Sequence, residues 1–179
     1  MMVKKFFKLI MDANDEIGGT LYAPKGTDTL LIKDVKEVIG WRNLVFTLND
    51  GIYTPYHMAN IGCNLISDEL KSTIQEFIPE NYPIEFLPIK ALSEQYGEKQ
   101  YHIMHFKIIF DVIDPINTVY VDGTKSIIKL CLDYNKVKNL DIFNSQPSIN
   151  DIIVSDRLRK AIKKRKLDFG IEFSKLRCI

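Results

Sequence analysis

The chain has 179 residues, of which 46% are hydrophobic and 26% charged, with a formal net charge of +1. Those proportions suit one well-buried domain, or two small halves sharing a core, and exclude a disordered or low-complexity chain. No apolar run reaches the length of a membrane-spanning helix, so no membrane partner is expected.

The N-terminal stretch Lys4–Met11 is expected to be a first strand. Lys8 interrupts its apolar run and no small-residue cleavage site follows, which opposes a signal peptide. Asn14–Gly19 is turn-rich and Tyr22–Ile32 irregular, with Pro24 and Gly26. Asp34–Ile39 is expected to form a helical turn ended by Gly40. Leu44–Leu48 and Ile52–Tyr56 flank Asn49-Asp50-Gly51, which predicts a hairpin.

Residues 64–74 and 152–162 then carry the same phrase twice. Four of the eleven aligned positions are identical: Ser67/Ser155, Asp68/Asp156, Leu70/Leu158 and Ile74/Ile162. Ile84-Glu85-Phe86 and Ile171-Glu172-Phe173 echo each other further along. Each copy reads as strand, cap, helix, strand. Leu65-Ile66 and Ile152-Ile153-Val154 are short branched runs suited to buried strands. Ser67 and Ser155 stand at the N-cap, where the hydroxyl can accept from an orphan N–H. Asp68 and Asp156 follow in the first turn, where the helix dipole favours negative charge. Leu70, Thr73, Ile74, Phe77 and Ile78 make one apolar stripe; Leu158, Ala161 and Ile162 make a shorter one.

Between the copies, Tyr101–Ile113 is a long β-rich run. Thr118–Val121 and Ser126–Leu132 flank Asp122-Gly123, a second hairpin signal. Asp141–Phe143 is a short strand candidate. Together these predict an α+β fold, a mostly antiparallel sheet with two principal helices and two weakly similar halves. Residues 1–179 form a single domain, with a soft boundary between halves near 90–100.

Charge is uneven along the chain. Residues 157–179 hold nine Lys/Arg against two Asp/Glu, and the rest is net acidic. The basic helix Arg157–Lys166 can contact phosphates. The acidic body argues against a dedicated nucleic-acid binder.

Catalytic patterns are sparse. His102 and His105 lie three apart on an expected strand and so point to opposite faces, and His57 has no ligand at metal spacing. No metal, cofactor or catalytic residue is assigned, and the protein is not expected to be an enzyme. Cys63, Cys131 and Cys178 fit reduced thiols in the cytoplasm, the first two as core filler and Cys178 at the surface. Asp111, Asp114 and Asp122 read either as turn residues or as a negative patch that steers a basic partner. Trp41, Tyr53 and Tyr56 are either interface anchors or partly buried core residues.

One family resemblance rests on three C-terminal stretches: Leu140-Asp141-Ile142-Phe143, Ile152 to Leu158, and Leu167-Asp168-Phe169-Gly170-Ile171-Glu172-Phe173. These resemble the family numbered eleven among the immunity proteins of polymorphic toxin systems. The first Ser-Asp copy and the run Tyr101–Asp114 also look like family features. The likeness covers roughly 64–176 and is sharp over 140–173; Phe169 stands where the family often has Thr. It implies a cytoplasmic protein that binds and neutralises a cognate toxin, in many cases a nuclease, by stoichiometric binding without catalysis. The alternatives are a nucleic-acid-binding regulatory module using the basic helix, or an uncharacterised enzyme. Oligomeric state is left open.

Overall fold

The structure is a computed structural model that describes residues 4–12, 17, 19–29, 34–146 and 148–179. Its strands are β1 (Phe6–Met11), β2 (Leu21–Tyr22), β3 (Leu44–Leu48), β4 (Tyr56–Met58), β5 (Asn64–Ser67), β6 (Ile84–Ser93), β7 (Gly97–Phe106), β8 (Val119–Tyr120), β9 (Ile127–Lys129), β10 (Cys131–Leu132), β11 (Ile142–Ser145), β12 (Ser148–Ser155) and β13 (Ile171–Cys178). Its helices are α1 (Asp68–Gln75), α2 (Tyr134–Val137) and α3 (Asp156–Lys164). The class is α+β and mostly sheet.

Two sheets carry the fold, ordered β2-β3-β6-β7-β5-β4 and β10-β13-β1-β12-β11. Pairing is antiparallel except between β3 and β6 and between β10 and β13. Set side by side, the sheets match strand for strand. β3, β6, β5 and β4 of the first correspond to β10, β13, β12 and β11 of the second, with the same neighbours and directions. The central strands break chain order. β7 fills the gap between β5 and β6, whereas β1 fills the gap between β12 and β13. The chain is therefore a tandem repeat that turns over at Glu94–Tyr96, and the two repeats have exchanged their first strands.

Register fixes the correspondence residue by residue. Ser67 faces Tyr101 as Ser155 faces Phe6, Phe86 faces Met104 as Phe173 faces Leu9, and Tyr56 faces Ile66 as Ile142 faces Val154. Each sheet also closes on itself. Leu21 pairs with Leu48 on β3 and bridges Ala59 just past β4. In the second repeat the segment 108–114 does the same work. Asn144 of β11 accepts from the Phe110 N–H (3.2 Å) and donates to the Ile108 carbonyl (3.1 Å). Across the segment, the Asp133 N–H donates to the Val112 carbonyl (2.9 Å) and the Asp114 N–H to the Cys131 carbonyl (2.9 Å).

Three cores follow from the period-two alternation of these strands. One lies inside the first curl (Leu21, Phe46, Leu65, Ile89, Tyr101, Ile103) and one inside the second (Phe6, Val112, Leu132, Phe143, Ile153). The largest lies between the sheets, under α1 and α3, with Phe7, Ile66, Met104 and Val154 meeting Leu70, Ile74, Leu158 and Ile162. Because β1 presents Phe6 to one core and Phe7 and Leu9 to another, the exchanged strand ties the repeats together.

Both caps have the same geometry. The Ser67 hydroxyl accepts from the Leu70 N–H (3.3 Å) and the Ser155 hydroxyl from the Leu158 N–H (3.2 Å). Each capping serine also meets a carboxylate. Ser155 donates to Asp141, which is buried and also bound by Arg157 and Lys4. Burial raises the Asp141 carboxyl, but those hydrogen bonds and the Lys4 charge outweigh it and hold it below the usual range. In the first repeat Glu69 is held low by its bond from Ser67, with the Lys99 charge adding.

Several expectations differ from the structure. Residues 44–48 and 52–56 do not form a hairpin: β3 is flanked by β2 and β6, and the following strand starts at Tyr56 and pairs with β5. The turn residues are real, with Gly51 at φ +77°, but the edge of β3 is already taken. Residues 34–39 are bends and loop rather than a helical turn. The long run from Tyr101 ends as a strand at Phe106, and α2, capped by Asp133, was not anticipated. The hairpin at Asp122-Gly123 forms, as the separate ribbon β8–β9. Parts of the Asn14–Gly19 and Tyr22–Ile32 stretches lie outside the described residues.

Candidate partner-binding surface

The β8–β9 ribbon belongs to neither main sheet. It leaves the second repeat after Asp114 and returns at Cys131, where the Thr118 hydroxyl takes the Cys131 N–H (3.0 Å). Alternation along so short a pair must expose one apolar row, since no third layer covers it. Ile116 is 90% exposed and Ile128 66%, with Val119 and Val121 also open. Ile113, Tyr120 and Ile127 line a groove of about 640 Å³ beside them, with Thr124, Lys125 and Gln146. Scattered exposed apolar residues are ordinary; these four lie on the ribbon or in the turn leading into it, which makes it the candidate interaction surface.

The three predicted carboxylates surround this ribbon in different states. Asp111 is exposed and ion-paired with Lys136 (2.9 Å), which raises the Lys136 ammonium. Asp114 is a turn cap. It accepts from the Ile116 N–H (2.9 Å), the Asn117 N–H (3.1 Å) and the Asn117 amide (2.7 Å), and the Asn117 side chain leads in holding its carboxyl low. Asp122 sits exposed at the ribbon tip near Lys125 in sequence. Of the three, Asp111 is offset by Lys136 and Asp114 is tied into its own turn, which leaves Asp122 as the exposed carboxylate without an ion pair among the described residues. Sequence reasoning picked the acids and passed over Ile116, Val119 and Ile128, although the alternation around Asp122-Gly123 was visible.

The predicted aromatics lie on the first repeat, away from that ribbon in the fold. Tyr56 is a correction: it is 1% exposed, its hydroxyl donates to Asn64 (2.7 Å), and it is a core residue, not a surface anchor. Tyr53 is half-buried, donating to the Gly97 carbonyl (2.8 Å) with its ring against Tyr96 and Tyr101. Trp41 is half-buried and donates to the Pro88 carbonyl (2.8 Å) beside the exposed Ile39. Both brace the first sheet.

The basic helix α3 is mostly neutralised at home. Arg157 binds Asp141 and lies over Phe77, Arg159 and Lys160 share Asp156, and Arg165 binds Glu76 (2.7 Å). Its C-terminal end still presents four consecutive exposed cations, Lys163 to Lys166, of which Lys164 and Lys166 form no ion pair among the described residues.

The histidines are structural. His57 is buried, its Nδ1 facing the Gly19 carbonyl (2.8 Å) and its Nε2 accepting from the Thr54 N–H (2.9 Å). Burial, with a lesser push from the Lys99 charge, drives its pKa down to about 4 against the opposing Gly19 bond. His102 lies under α1, with Nε2 3.1 Å from the Lys71 ammonium; its Nδ1 is 3.3 Å from Asp68 but not aligned for a hydrogen bond. His105 reaches the Lys36 carbonyl from the other sheet face (2.7 Å). No cluster of metal-ligating side chains occurs among the described residues. Cys63 and Cys131 are buried. Cys178, expected at the surface, is half-buried, and burial pushes its thiol up to about 11. Among the described residues, no helix is long and apolar enough to cross a membrane.

No protein-family model matches this sequence, and no curated protein matches it.

Proposed function

We propose that this chain is an immunity protein of a polymorphic toxin system, acting in the cytoplasm by stoichiometric binding of a cognate toxin without catalysis. The observation that carries the reading is the β8–β9 ribbon, an open apolar row on a rigid scaffold. The resemblance over 140–173 adds to it; that stretch builds β11, β12, α3 and the start of β13, the frame from which the ribbon projects. Apolar anchors ringed by charges are the usual composition of an interface centre and rim. The ion pairs of Arg157, Arg159, Lys160 and Arg165 weigh against the nucleic-acid alternative, which keeps Lys163 to Lys166 as its exposed cations.

Co-expression with toxin domains encoded beside its gene tests the proposal. Rescue of growth and a one-to-one complex are expected. A Val119→Asp/Ile128→Asp variant should keep its melting temperature and lose both. Rescue that survives this double substitution excludes the ribbon, and absence of any complex with the wild-type chain overturns the immunity reading.

A further inference from the structure

The repeats differ sharply in charge where β13 meets β1. Lys175 faces Phe7, and the same register sets Arg177 opposite Lys5. All three cations are exposed, and none forms an ion pair among the described residues. The Arg177 charge is felt by Asp114, but the Asp114 oxygens are taken by Ile116 and Asn117. Like charges on opposed strand residues are destabilising.

The fold supplies its own control. The positions equivalent to Lys5, Lys175 and Arg177 in the first sheet are Gln100, Pro88 and Lys90, and Lys90 is neutralised by Glu98 (2.8 Å). Strand pairing therefore does not require three cations here; the second sheet holds them against an electrostatic cost. They border a groove of about 290 Å³ with Lys4, Leu176 and Cys178. Lys4 also lines the groove but is bound to Asp141 and the Leu140 carbonyl, so three of its four lining cations carry no ion pair among the described residues.

We propose that this groove binds the phosphate group of a small phosphorylated ligand, independently of any toxin. An arginine fork flanked by two ammonium groups complements a tetrahedral oxyanion. The volume sits at the bottom of the range for ligand pockets, and no aromatic lines the groove to stack a base. Both points favour a phosphate head over a nucleic-acid strand.

The test is titration of the full chain with pyrophosphate at constant ionic strength, followed by amide chemical shifts, with polyglutamate as the comparison anion. Saturable shifts confined to residues 4–5 and 175–178 are expected. Lys5→Gln/Lys175→Gln/Arg177→Gln should bind about ten-fold or more weakly, as loss of charge-assisted hydrogen bonds requires, and should melt no lower than wild type. Arg177→Lys, which keeps the charge and loses the fork, should bind at an intermediate level. No saturable shift, undiminished binding by the triple variant, or polyglutamate binding as tightly as pyrophosphate would overturn the proposal.

Discussion

Lowering the pH should destabilise this protein through His57. The ring is buried, with Nδ1–H given to Gly19 and Nε2 accepting from the Thr54 N–H, so a second proton at Nε2 would put a charge in the core and break the Thr54 N–H bond. The folded pKa is about 4 against the ordinary 6.5. Below the unfolded value the unfolded chain binds a proton that the folded chain refuses, so stability is lost as pH falls from that value and levels off near the folded pKa. At 1.36 kcal/mol per unit the full loss is about 3 kcal/mol, and at about pH 5 it is about 2 kcal/mol. Urea denaturation of wild type and His57→Gln near pH 8 and near pH 5 isolates the effect. The variant starts less stable, having lost two buried bonds, but should lose about 2 kcal/mol less on acidification. His102, also shifted down by burial, remains in both proteins and cancels. Asp141, held low, acts in a more acidic window, since its contribution is lost only as pH falls through its depressed folded pKa. Equal losses in the two proteins would mean that His57 is protonated without penalty and that its ring is not sealed as described.

Gly170 should resist substitution. Its φ is +72° and an added Cβ would stand 2.6 Å from the Thr54 methyl; Gly170→Ala should cost about 2 kcal/mol or more in a urea melt. The two caps should differ. Ser67→Ala removes mainly a cap, costing about 1 kcal/mol, whereas Ser155→Ala also strips a bond from buried Asp141 and should cost roughly twice that. A circular permutant joining Ile179 to Lys4 through a short turn, opened between Met11 and Gly19, should fold cooperatively, because β13 and β1 are already neighbours as β6 and β7 are. Deleting residues 1–11 should instead abolish the cooperative melt.

The repeated Ser-Asp phrase made the two helices, their caps and the flanking strands legible in the sequence, because capping and helical periodicity act over four or five residues. Strand pairing is not local. Asn49-Asp50-Gly51 has the composition of a hairpin turn, yet the partner of Leu44–Leu48 comes from residues 21–22 and 89–92. The same gap hid the strand exchange: Lys4–Met11 reads as a strand, but alternation says nothing about whether it joins its own repeat or the other. At the surface, composition drew attention to Asp111 and Asp114, whose charges are spent on Lys136 and on a turn. Tyr56 could not be told from Tyr53 without knowing which side of β4 faces a core.

Exchange of the first strands gives the departures from internal symmetry a physical meaning. Removing β1 would empty Phe6 from one core and Phe7 and Leu9 from another, so neither repeat closes without the other's strand. Stability then depends on both repeats at once, and equivalent places carry like packing, as in the matched caps and the pairs Phe86/Phe173 and Ile84/Ile171. A feature on one repeat alone is not needed by that shared packing. Two such features stand out among the described residues: the β8–β9 ribbon with its open apolar row, and the unpaired cations Lys5, Lys175 and Arg177. Each adds local cost, in exposed apolar surface or in like-charge repulsion, without returning core contacts. Both lie beside the second sheet, with Lys5 supplied by the exchanged strand β1, and Arg177 pairs directly with Cys131, where the ribbon rejoins that sheet. Both proposed binding surfaces thus lie beside the second sheet, and the exchanged strand β1, which carries Lys5, ties that sheet to the first repeat.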